Sequence, residues 1–266
     1  DLERPDATQL DTVVTDFRFY MNCTDDRQVQ SLVDLANHAW DFLNRTNYNK
    51  DGEICPEPNQ KIVALLLLDL YRKIPLTSTL TIPEARIFPG IPGEEADSYL
   101  DNHTKLVEFT DSAWVTTGLY LPPGRVGVIR SPEAFPDLAI QVGSHTISLL
   151  PNEQEWHRWP LITYGFYITD ETIEVGSQFG GIVYVTSEDP EIEALELDFE
   201  GFCEYPRYVQ SDPSIWTKTK DLKIPLGEIE TNSIIFTLPS SYMYKLNLAQ
   251  ITEKFELLHH AILASL

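Results

Sequence analysis

The sequence predicts a mainly β protein, in which a jelly-roll-like β-sandwich follows a helical hairpin and precedes the start of an α/β domain. Eight short alternating segments with turn residues between them lie between residues 104 and 202, without intervening helices. Apolar residues recur at helical spacing before residue 75, and a strand pattern followed by a helical pattern ends the sequence. We therefore expect domains at residues 1–75, 76–204 and 205–266.

Two helices are predicted in the N-terminal region. Leu32, Ala36 and Leu43 belong to an apolar face over residues 26–44, and residues 59–73 form the second helix. Asn59 is a suitable N-cap for the second helix, and Pro75 ends it. Two such helices in succession indicate a helical hairpin.

The segment between these helices, NYNKDGEICPEP at residues 47–58, has two interpretations. Asn47, Asn49 and Asp51 followed by Gly52 match the first positions of a calcium loop. Pro58 stands where such a loop requires its closing glutamate, and this favours a plain polar turn.

Prolines at positions 75, 83, 89 and 92 predict an extended linker, and the boundary of the sandwich is placed there. The sandwich strands are predicted at residues 106–110, 114–120, 126–130, 138–143, 161–168, 173–177, 181–187 and 194–201. After residue 205 we expect one strand at 233–238 and a helix from 247 onward, as in the opening of another domain.

The second strand lies in WVTTGLYLPPG, residues 114–124. Residues 114, 116, 118 and 120 share one face of a strand because side chains alternate. Gly118 therefore leaves room for a neighbouring ring or backbone between two aromatic residues, which favours packing over a ligand platform.

Charge excludes some partners. The 266 residues carry a net charge of −22, which disfavours nucleic acids and anionic membrane surfaces. An acidic surface of this kind is solvated or attracts basic partners. The longest apolar run, residues 62–68, is far shorter than the ~20 residues of a membrane span, so no transmembrane segment is expected.

The cysteines and sequons bear on location. Cys23, Cys55 and Cys203 show no CxxC spacing, and pairing of Cys23 with Cys55 stays open. Three sequons, at Asn22, Asn44 and Asn102, favour an extracellular or cell-surface location. No positively charged segment leads into an apolar one, so no signal peptide is expected.

The sequence contains no pattern that marks a catalytic centre. His-Glu-x-x-His, Gly-x-Ser-x-Gly and a glycine-rich phosphate loop do not occur, so no catalytic or metal-binding residue is predicted. The aromatic pair of EWHRWP gives the candidate substrate-binding residues Trp156, Trp159 and Arg158. These rings either stack on sugars from a loop of the sandwich or close its core.

An ordered series of motifs resembles the enhancin-like zinc metallopeptidases (peptidase family M-sixty) and their channel-associated-factor relatives. The series is WVTTGLY with Pro-Gly at 114–124, IQVGSHTISLL at 140–150, WHRWP at 156–160 and FGGIVYV at 179–185. LGEI at 226–229 and TNSIIFTLPSS at 231–241 resemble the start of the family's peptidase domain. The resemblance covers residues 76–266, the N-terminal part of such a protein.

The resemblance implies a sandwich in front of a zinc peptidase domain, whose His-Glu-x-x-His and downstream Glu hold the metal. The family's Gly-Cys-His-Thr run has Ser144 in place of the cysteine here, and His145 is interpreted as a strand end. Because the zinc motif does not occur in this sequence, no catalytic residue is transferred. We expect no cofactor in this chain and zinc only in a catalytic domain outside it.

Three hypotheses follow from the resemblance and the fold. The first is the non-catalytic N-terminal portion of a mucin- or glycoprotein-directed metallopeptidase, which supports the catalytic domain and contributes to substrate binding. The second is a regulatory or adhesion module of a channel-associated-factor-like protein without peptidase activity, at the cytoplasmic face of the plasma membrane. The third is a free-standing carbohydrate-binding sandwich. The expected partner is a glycoprotein or another protein, and the oligomeric state is not predicted.

Overall fold

A computed structural model describes residues 26–45, 58–73, 83–86, 88–109, 114–150, 156–187 and 192–265. The chain forms two compact units: residues 1–78 with 147–161, and residues 79–146 with 162–266. The segment at residues 47–58, interpreted as a calcium loop or a plain polar turn, lies outside the described residues except for Pro58, as do Cys23 and Cys55. The domain boundaries drawn from the sequence stay predictions.

The first unit contains two contacting helices, α1 at Asp26–Arg45 and α2 at Pro58–Lys73. Leu32 and Ala36 of α1 are buried, as are Ala64, Leu67 and Leu70 of α2. The burial of residues three and four apart matches the apolar period that predicted both helices. The predicted helical hairpin is thereby confirmed.

The second unit opens with two short 3-10 helices at Pro83–Arg86 and Glu94–Tyr99, within the segment expected to be extended. Eight antiparallel strands follow. They are β1 Asp101–Glu108, β2 Trp114–Leu121, β3 Val126–Arg130, β4 Phe135–Val142, β5 Tyr164–Ile168, β6 Thr172–Gly176, β7 Gly181–Ser187 and β8 Ala194–Glu204.

The strands make two four-stranded layers, ordered β1-β8-β3-β6 and β2-β7-β4-β5. The end of β8 crosses from the first layer to the second, where Cys203 pairs with Tyr120 of β2. Two layers of four strands in this interleaved order are a jelly roll. The predicted fold class is confirmed.

The sandwich core lies between the layers. Its residues come from alternate positions of the strands, and among them are Leu119, Ile140, Val183, Leu197 and Phe199, all at most 1% exposed. This alternation explains how the sequence located strands such as β8, in which buried and exposed residues alternate from Ala194 to Phe199.

The C-terminal part adds three strands and three helices to the second unit. These are β9 Arg207–Val209, α3 Ser214–Thr219, β10 Leu226–Glu230, β11 Ile235–Pro239, α4 Ser240–Met243 and α5 Leu248–Leu263. β10 pairs parallel with β9 and antiparallel with β11. The side chain of Asn247 caps α5 by accepting a hydrogen bond from the Gln250 backbone at 3.2 Å.

A second apolar cluster lies on the outer face of the β2-β7 layer. Tyr120, Ile182 and Tyr205 contribute to it from the sandwich side, and Ile224 and Leu226 from the C-terminal part. Because these side chains share one buried cluster, the small C-terminal sheet packs directly on the jelly roll.

Candidate functional site

A fully buried acidic side chain lies where the small sheet meets the jelly roll. Glu228 of β10 is 0% exposed. Its Oε1 accepts hydrogen bonds from Tyr184 Oη at 2.6 Å and from Thr237 Oγ1 at 3.3 Å. Its Oε2 accepts from Thr116 Oγ1 at 2.9 Å and from the hydroxyl of Tyr205. The carboxyl group is therefore satisfied by four hydroxyl groups, as burial of such a group requires.

The four hydroxyls come from separate parts of the second unit. Thr116 and Tyr184 belong to β2 and β7 of the jelly roll, Tyr205 follows β8, and Thr237 lies on β11. Burial raises the pKa of both Tyr184 and Tyr205, and the charge of Glu228 raises it further. Their phenols therefore keep their protons near neutral pH and remain hydrogen-bond donors.

An ion pair lies beside this carboxyl group. The guanidinium of Arg207 on β9 pairs with Glu230 at the end of β10, and both side chains are largely buried. Burial acts to lower the pKa of Arg207, but Tyr205, Glu230 and Glu228 outweigh it and the pKa is raised. The arginine is thus held charged between β9 and β10 of the small sheet.

The β2 motif WVTTGLY supplies the jelly-roll side of the site. A bulge between Thr116 and Leu119 interrupts the pairing of β2 with β7, and Gly118 has φ +73° there. A Cβ on Gly118 would lie 2.8 Å from Arg207 Nη1, so glycine makes room for the guanidinium. The sequence predicted that Gly118 leaves room for a neighbouring ring or backbone. In the structure the neighbour is instead the charged guanidinium of Arg207.

The remaining residues of the motif complete this surface. The ring of Trp114 lies 4.6 Å from that of Tyr184, and Tyr120 is fully buried in the second cluster. Thr117 Oγ1 donates to the Val183 carbonyl at 2.7 Å, which holds the bulge. The motif is a docking surface for the C-terminal sheet, in agreement with the predicted packing role.

Sequence reasoning missed Glu228 and Arg207. In LGEIE, Glu228 stands at a position where Leu226, Gly227 and Ile229 around it are all buried. A lone acidic residue in an apolar run was the available signal, but identifying its partners required the fold, since three of them lie 23 or more positions away. The Glu228 carboxyl group is fully buried and makes its hydrogen bonds within the protein, so its role is structural.

The predicted substrate-binding residues lie elsewhere, in the first unit. Trp156 and Trp159 are 2% and 0% exposed, so neither ring offers a free face in this conformation. Arg158 is half-buried and donates to the backbone carbonyls of Trp159 at 2.8 Å and Ile147 at 2.7 Å. Lys61 of α2 lies over the Trp156 ring, 5.2 Å from its centre. Sugar binding by these residues stays a prediction.

No three His, Cys, Asp or Glu side chains of the described residues are grouped so that they can hold a metal ion. Cys203 is buried as a free thiol, and burial raises its pKa to about 12. Among the described helices, none has the length and apolar character required to cross a membrane.

Comparison with known proteins confirms the resemblance seen in the sequence. Residues 100–196 match the model of the N-terminal domain of M60-like peptidases. TRPM8 channel-associated factor 3 of Rattus norvegicus is 28% identical over 51% of this chain and 15% of its own length. The protein of the same name from Mus musculus is 26% identical over 90% of this chain and 26% of its own length. The chain thus spans about a quarter or less of these relatives.

Among solved structures, the chain is similar to IMPa from Pseudomonas aeruginosa in complex with an O-glycopeptide. It is 13% identical with a TM-score of 0.46, and the match covers 88% of this chain and 31% of that chain. A similarity this distant does not bear on function.

Proposed function

We propose, from the premise that residues 100–196 are an M60-like N-terminal domain, that this chain is the non-catalytic N-terminal portion of a glycoprotein-directed zinc metallopeptidase. Its role is to support and orient the catalytic domain of the longer protein. The observation that carries the proposal is the buried network of Glu228, which joins the jelly roll to the small C-terminal sheet.

The Glu228 network restricts how the small sheet can lie on the jelly roll. A buried carboxyl group with four hydroxyl partners has one satisfied arrangement, and any displacement of the small sheet would leave several polar groups unpaired. The Arg207–Glu230 pair adds a second interaction between β9 and β10. A segment held in this way is suited to set the direction of whatever follows it in a longer polypeptide.

We assign zinc to the catalytic domain of the parent protein, at a His-Glu-x-x-His motif that this sequence lacks. An extracellular or cell-surface location and a glycoprotein substrate belong to the same proposal.

The test uses the parent protein and this chain side by side. The parent should bind one zinc ion and cleave an O-glycosylated peptide, whereas the isolated chain should do neither. Glu228→Ala in the parent should lower cleavage more than Glu196→Gln, which changes an exposed residue of β8. Stoichiometric zinc on the isolated chain, or equal activity of both variants, would contradict the proposal.

A second candidate function is favoured by the names of the curated relatives. As they are channel-associated factors, the chain is alternatively a regulatory or adhesion module of such a protein, at the cytoplasmic face of the plasma membrane. The parent's coding sequence discriminates between the two. An intact His-Glu-x-x-His supports the peptidase, and a broken one supports the regulator.

Substrate binding by Trp156, Trp159 and Arg158 is the part of the proposal that concerns this chain alone. A glycan array with the wild-type chain tests it, with Arg158→Ala as the variant. The binding role predicts signal that falls in the variant. An array without any signal would reject both this role and the free-standing carbohydrate-binding sandwich.

A further inference from the structure

A polar cleft of about 290 Å³ lies in the second unit and shares no residue with the Glu228 network. The start of β1, the end of β8 and helix α3 enclose it. Its lining residues are Tyr99, Leu100, Asp101, His103, Glu204, Lys218 and Leu222. Its volume is at the lower limit of small-molecule pockets, which suits a ligand smaller than a typical drug.

Opposite charges face this cleft without neutralising each other. Within the described residues, neither the carboxylate of Asp101 nor the ammonium of Lys218 forms an ion pair, so the two are more than 4.0 Å apart. Glu204 is 4.0 Å from Lys105 Nζ and adds a second carboxylate at the β8 end. One wall of the cleft is thus acidic, and another carries the ammonium group of Lys218, whose charge also acts on the carboxylate of Asp212.

His103 also lines the cleft. Nε2 of His103 is buried and finds no hydrogen-bond partner among the described residues. Leu100 and Leu222 supply apolar surface beside these groups.

We propose that the cleft binds a small zwitterion, an α-amino acid or a short peptide with both ends free. The ligand's ammonium group pairs with Asp101 and Glu204, and its carboxylate pairs with Lys218. A ligand with one charge would leave the opposite wall uncompensated, and so the arrangement selects for both charges. A divalent cation fits poorly, because the lysine ammonium faces the same space.

The experiment follows backbone amide signals of the whole chain by NMR during titration with glycylglycine. Two capped probes, N-acetylglycylglycine and glycylglycinamide, each lack one of the charges. Glycylglycine should shift the amides of residues 99–103, 204 and 218–222, and each capped probe should bind at least about tenfold more weakly. This comparison uses only the wild-type chain and does not depend on the folding of any variant.

Variants locate the two charges. Asp101→Asn should remove the preference for a free amine, and Lys218→Met the preference for a free carboxylate, each with about tenfold weaker glycylglycine binding. Asp137→Asn and Lys254→Met, two exposed positions outside the cleft, should bind as wild type does. Capped probes that bind as well as glycylglycine, or no shifts with the probe on the order of 10 mM, would overturn the proposal.

Discussion

Glu228 shows how one acidic residue can organise two parts of a fold. A buried carboxyl group destabilises a protein unless its partners are in place, and here four hydroxyls from β2, β7, β11 and the residue after β8 provide them. Such a group makes the fold specific, because alternative packings of the small sheet would leave the carboxyl group without hydrogen-bond partners. Its value therefore lies in defining one arrangement of the C-terminal strands.

Replacing Glu228 tests whether its carboxyl group fixes the arrangement of the C-terminal strands. Glu228→Ala leaves the hydroxyls of Tyr184 and Tyr205 buried without their acceptor, and should lower the free energy of unfolding by about 3–5 kcal/mol. Glu228→Gln keeps one oxygen acceptor and the side-chain shape, so its loss should be smaller. Urea denaturation followed by tryptophan fluorescence measures both.

The matched control is Glu196→Gln, on the exposed face of β8. Its effect should stay within about 0.5 kcal/mol, as for surface substitutions generally. If Glu228→Ala were as stable as this control, the network would not hold the small sheet.

At the scale of elements, the sequence predicted the helices and strands that carry a regular pattern of apolar residues. β3 and β7 begin and end at the predicted residues, and the three long helices agree within a few positions. β9 and β10 were missed, because β9 has only three residues and the buried Glu228 interrupts the apolar residues of β10. The Glu228 site could not be foreseen for a related reason, since its members meet only through long-range packing.

Two glycines in strands differ in what surrounds them. A Cβ on Gly127 of β3 would lie 2.3 Å from Cζ of the buried Phe202 ring, whereas one on Gly165 of β5 meets nothing within 4 Å. Gly127→Ala must displace a core ring and should cost about 1–3 kcal/mol. Gly165→Ala should change the free energy of unfolding by about 0.5 kcal/mol or less. Equal midpoints in urea for both variants would show that the Phe202 ring moves without cost.

At the scale of the whole molecule, acidity and stability are linked through particular carboxylates. With a net charge of −22, the acidic side chains repel one another at neutral pH. Protonation of exposed carboxylates weakens this repulsion as pH falls. Glu256 of α5 behaves differently. Hydrogen bonds from Thr231 and then from Ser233 hold the pKa of Glu256 below the usual 4.5. Desolvation acts in the opposite direction but is outweighed. Its two oxygens accept from the backbone and hydroxyl of Ser233, both at 3.0 Å.

The sign of the pH dependence follows from that depressed pKa. A carboxyl group whose pKa is lower in the folded state than in the unfolded state stabilises the protein at pH values above its unfolded-state pKa. This contribution is lost as pH falls through the folded-state pKa. Glu256→Gln should therefore lower the melting temperature at pH 7 and make no difference at a pH well below 4.5. Thermal unfolding followed by circular dichroism over this range measures the gap. Glu253→Gln, an exposed position on the same helix, supplies the baseline for losing one negative charge. A gap for Glu256→Gln that persists in acid would show that α5 is held to the β10–β11 turn by packing and not by this charge.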